Sequence, residues 1–192
     1  MPSIIDYPIV LERLRESGLK SLYFNSGAFG FPANVFSQSL GWIGPPDASI
    51  QPAARSLARN VPPPFEKNLA DLAERAWREL LPGRVWVMPK SHWAYELEFA
   101  NREWLPPLLH EIGIRSISLE RCNSAAAIEF SDAERAPFHL LVQSLLEKLT
   151  TSDFLMAFPQ HRTVCTIHSH KQFWWTTGDL LIAKGLGAIV PQ

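Results

Sequence analysis

Arg162-Thr-Val-Cys-Thr-Ile-His-Ser-His-Lys-Gln-Phe-Trp-Trp-Thr-Thr177 reads as a β-hairpin. Thr163 to His168 and Gln172 to Thr177 are both rich in β-branched and aromatic residues, which suit a pleated, half-buried surface. The polar run His168-Ser169-His170-Lys171 lies between them as the connection. Just upstream, Asp153-Phe-Leu-Met-Ala-Phe-Pro159 is a continuous apolar run, short enough for a central strand buried on both faces. Gln160-His161-Arg162 turns that strand into the hairpin. Three antiparallel strands in a row thus set the fold class.

Working outward, Ala125 to Phe130 gives another short apolar strand. Ser131-Asp-Ala-Glu134 has the spacing of a capping box for a helix running to about Leu149. Phe65 to Leu81 carries Phe65, Leu69, Leu72, Ala73, Ala76, Trp77, Leu80 and Leu81 on one helical stripe, with Pro82-Gly83 as its stop. Arg84 to Met88 reads as a strand. Ala94-Tyr-Glu-Leu-Glu-Phe99 alternates apolar and acidic residues and predicts a second strand, its Glu96 and Glu98 on one wet face. Asn101 to Gly113 predicts a helix shortened by Pro106-Pro107, and Asp179 stands near the start of a last short helix.

Towards the N-terminus, residues 8 to 18 fit an amphipathic helix and Leu19 to Phe24 a strand. Asn25 to Pro32 has two glycines but neither a P-loop ending nor dinucleotide-binding glycine spacing, and reads as a turn. From about 41 to 64 five of the sixteen prolines, in Gly44-Pro-Pro and Pro62-Pro-Pro, bracket an alanine-rich piece that holds a sixth, Pro52, an excursion suited to a partner-facing role or to a rigid spacer. The expectation is one α+β domain over 1–192. Its sheet is largely antiparallel or mixed, of about five to seven strands, with helices packed mainly on one face.

Composition narrows the function classes. The 18 basic and 19 acidic residues nearly cancel, with no run of like charge, so nothing draws the chain to nucleic acid or to an anionic membrane surface. No window approaches about 18 uninterrupted apolar residues, and the first residues lack a basic leader, so a soluble cytoplasmic protein is expected. Cys122 and Cys165 are then reduced thiols.

Two chemistries compete at the hairpin. His168 and His170 stand two apart, as two ligands of one divalent metal would, with His161 as a third donor. His92, Glu96, Glu98 and Asp179 have suitable chemistry too. That would make a metal-dependent hydrolase-like enzyme, the metal lowering the pKa of its bound water. Cys165 and His168 fall on opposite faces of the strand, which argues against a Cys-His nucleophile pair. The other reading is a non-catalytic binding or regulatory domain. There Trp174, Trp175 and Trp93 present an aromatic cleft or surface to a protein or small-molecule ligand. No motif decides whether the chain is an enzyme, and an exposed aromatic patch or strand edge would favour a homodimer.

Overall fold

A computed structural model of the chain describes residues 1–16, 20–23, 28–30, 38–43, 63–89, 93–114, 125–149, 154–168, 172–177 and 179–189. The elements in chain order are β1 (Ser3–Asp6), α1 (Tyr7–Glu16), β2 (Lys20–Tyr23), β3 (Ala28–Gly30), β4 (Gln38–Ile43), α2 (Phe65–Leu80) and β5 (Val85–Pro89). Then come α3 (Trp93–Tyr95) running into a wider π-type turn (Glu96–Ala100), α4 (Leu105–Glu111), β6 (Ala125–Phe130) and α5 (Arg135–Lys148). Last are β7 (Phe154–Phe158), β8 (Thr163–His168), β9 (Gln172–Thr177) and α6 (Leu180–Ile189). Of the proline-rich stretch from 41 to 64, residues 44–62 lie outside the described residues, while 41–43 belong to β4 and Pro64 precedes α2.

Seven of the described strands form one sheet in the order β1-β6-β5-β7-β8-β9-β4, and every pairing in it is antiparallel. β2 and β3 form a separate pair. This is the α+β architecture the strand pattern predicts. The sheet has no parallel pair because its described neighbours are joined by hairpins or by returns that reverse direction.

β7, the continuous apolar run, is the middle strand, and all five of its residues are buried. Its position explains its composition: a strand covered on both faces has no wet side for polar residues to occupy. Register carries the alternation across the sheet. Ile128, Val87, Met156, Cys165 and Trp175 lie side by side on five strands. All five face the larger core, which α2, α4, α5 and α6 close with Leu69, Leu72, Leu108, Phe138, Leu145 and Leu186. The adjoining row, with Trp86, Ala157 and Val164, turns to the opposite face and a smaller core that includes Val10 of α1. Four helices on one face and α1 on the other match the expected one-sided packing.

Local signals account for the helix ends. At the start of α5 the Glu134 carboxyl accepts from the Ser131 N–H at 2.7 Å, closing the capping box. Asp179 takes the N–H groups of Leu181 at 2.7 Å and Ile182 at 3.2 Å, two donors that the first turn of α6 would otherwise leave unpaired. Pro106 and Pro107 sit in the first turn of α4, where a missing N–H costs nothing. The chain after α4 turns at Gly113, whose φ of 97° suits a residue without a side chain. No described helix is long and apolar enough to cross a membrane.

α6 crosses α2 at Gly185, where an added Cβ would come within 2.7 Å of Leu80 Cδ2 and 3.1 Å of Cδ1. Because those atoms are the free end of a half-buried leucine that can turn aside, Gly185→Ala is expected to leave the urea midpoint little changed.

Candidate functional site

The region with the most unusual local structure is Trp93 to Trp104. Within it the alternation of Ala94 to Phe99 predicts a strand, but the structure makes Trp93–Ala100 helical, and this is a correction to the sequence reading. Ala94, Glu96, Leu97, Glu98 and Ala100 are all good or fair helix formers. The residues that turn inward, Trp93, Glu96 and Leu97, recur at three and four, which is the helical period. Tyr95 and Phe99 are the residues that a strand would have buried with Leu97. On the helix they stand outward instead, Tyr95 38% and Phe99 70% exposed, four residues apart. Their rings lie 6.1 Å between centroids at 31° to each other.

The π-type turn has a polar reason. The Asn101 N–H donates to the Glu96 carbonyl at 2.8 Å, five residues back. This brings the two side chains together. Asn101 Nδ2 donates to Glu96 Oε2 at 2.5 Å, and Trp104 Nε1 donates to Asn101 Oδ1 at 2.9 Å. Glu96 and Asn101 are buried, and the Lys148 ammonium lies 5.6 Å from the Trp104 ring centroid. A chain of hydrogen bonds in a region of low dielectric is rigid when each member is satisfied. It fixes the turn that carries the two exposed rings. Glu96 is closed to solvent.

The sequence-predicted residues fall in different places. Trp93 and Trp175 are fully buried in the larger core, and neither indole N–H has an acceptor among the described residues. Trp174 is described as a backbone position, paired with Thr166 on one side and Trp42 on the other. His168 ends β8 opposite Gln172, at the end of the sheet where β5 stops at Pro89 and β7 begins at Phe154. His161 lies at the opposite end, in the turn after β7, where its Nε2–H donates to the Pro82 carbonyl at 2.6 Å. The length of β8 between them is five steps of about 3.4 Å, so one ion cannot take both histidines. His170 lies outside the described residues. Among those described, no three His, Cys, Asp or Glu side chains group to hold a metal.

Of the other named donors, His92 lies outside the described residues and Glu98 is half-buried. Asp179 caps α6, and Glu96 belongs to the chain through Asn101. Cys165 is a free, fully buried thiol that burial pushes well above its ordinary pKa. Iodoacetamide applied to the folded protein at pH 8 is expected to leave Cys165 unmodified by peptide mass mapping. Labelling in 6 M guanidinium should then reach it. Rapid native alkylation at Cys165 would contradict its burial.

A further charged cluster joins α1 to the smaller face of the sheet. Glu129 accepts from Arg84 Nη1 at 2.5 Å, Arg13 Nη1 at 3.3 Å and Trp86 Nε1 at 2.8 Å, and the Arg13 guanidinium lies 5.8 Å from the Trp86 ring centroid. A carboxyl group met by three donors in this way is an anchor for packing. What composition and spacing did not disclose is the exposed pair Tyr95 and Phe99. The signal was there in the run of helix formers around them, whose four-residue spacing puts both rings on one face. Comparison of the chain with protein-family models, with curated proteins and with solved structures finds no match.

Proposed function

We propose that the chain is a non-catalytic binding domain whose contact surface is built on Tyr95 and Phe99, and that its ligand is another protein. The observation that carries this reading is the exposed ring pair on a turn held from beneath by Glu96, Asn101 and Trp104. Large aromatics supply much of the energy of protein interfaces, because each buries a wide area with few torsions to freeze. A pinned backbone lowers the ordering cost of binding. Phe99 is also too exposed to line a closed small-molecule cavity, which would cover most of its ligand and its own walls. Trp93 and Trp175 enter this reading as supports in the core.

The test is capture by the full chain. Proteins retained by the wild type are identified, and the affinity of each is remeasured with Tyr95→Ala/Phe99→Ala. Loss of an interfacial anchor worth 2 kcal/mol is a drop of about thirtyfold in affinity. The thermal midpoint of the single variant Phe99→Ala should hardly move, since truncation on an exposed face costs within about 0.5 kcal/mol. A partner bound equally well by both forms would remove the basis of the proposal.

A further inference from the structure

We draw no further inference here: the strongest candidate, the side-chain cluster of His139 with Asp71 and Glu74 where α5 packs on α2, sets its two carboxylates against different ring nitrogens, Asp71 Oδ1 3.2 Å from Nε2 and Glu74 Oε2 3.7 Å from Nδ1, and so offers no common point for a cation.

Discussion

Trp175→Ala is expected to remove about 3–5 kcal/mol of folding stability, the range for truncating a large aromatic in a packed core. The residue is fully buried, beside Cys165 in the row that crosses five strands. Its ring stacks on Phe158 at 6.0 Å and meets Phe173 edge-on at 6.2 Å. A domain of this size has roughly 5–15 kcal/mol in hand, so the variant should lose a large part of its margin and unfold at a much lower urea concentration. Trp175→Phe separates packing from polarity. The indole N–H has no acceptor among the described residues, so phenylalanine loses area and no hydrogen bond to any of them. Its cost should be well below that of alanine. Trp77→Phe is the contrast: it forfeits the bond from Trp77 Nε1 to the Gly83 carbonyl at 2.9 Å, worth about 1 kcal/mol beyond the lost area. An unchanged urea midpoint for Trp175→Ala would show that the ring is not in the core.

The hairpin that contains Trp175 was readable because its strands and its connection have different chemistry. Thr163–His168 and Gln172–Thr177 coincide with the two β-rich runs. β7 was readable as a buried centre because five apolar residues in a row leave no wet face. α2 was readable from its stripe, and its inward residues Leu69, Leu72, Ala73, Ala76 and Trp77 are buried. Other parts depended on contacts that no short window contains. β4 has Gly41 within its six residues, and its partner β9 lies more than a hundred residues later, so nothing nearby marks it as a strand. Ala28–Gly30, read as part of a turn, is a short strand paired with β2.

The Trp93–Trp104 region shows the same limit more sharply. Two periodicities fit Tyr95 to Phe99, and the choice between them falls to Glu96 and Asn101, whose side chains meet only if the chain coils. That choice also decides the surface. With strand geometry Tyr95 and Phe99 would sit in the core, and with the coil they face outward. Of the tryptophans, Trp77 is interior as its place on the helical stripe predicts, and Trp86, Trp93 and Trp175 are interior too.

The second large effect is expected where that coil is fixed. Asn101→Leu removes the amide that donates to Glu96 and the carbonyl that accepts from Trp104, leaving a buried carboxyl group without this donor and an indole N–H without this acceptor. Each buried polar group left unmet costs about 1–3 kcal/mol, so a loss on the order of 3 kcal/mol is expected. Glu96→Gln keeps an amide oxygen that can still accept from Asn101 Nδ2, so this bond should survive it. Glu96→Met deletes the acceptor and should be costly by itself. Combined with Asn101→Leu it should cost less than the sum of the two single changes by about 1–3 kcal/mol, since the second substitution removes a group that the first has already stranded. Strict additivity would mean that the two side chains do not act as a unit. Amide exchange at Asn101 gives a second readout. Its N–H closes the π-type turn on the Glu96 carbonyl, and its protection should fall in Asn101→Leu by more than the change in global stability accounts for. If that local opening occurs, Tyr95 and Phe99 lose the fixed backbone beneath them. Capture of a protein partner should then weaken in Asn101→Leu under conditions where the rest of the domain stays folded.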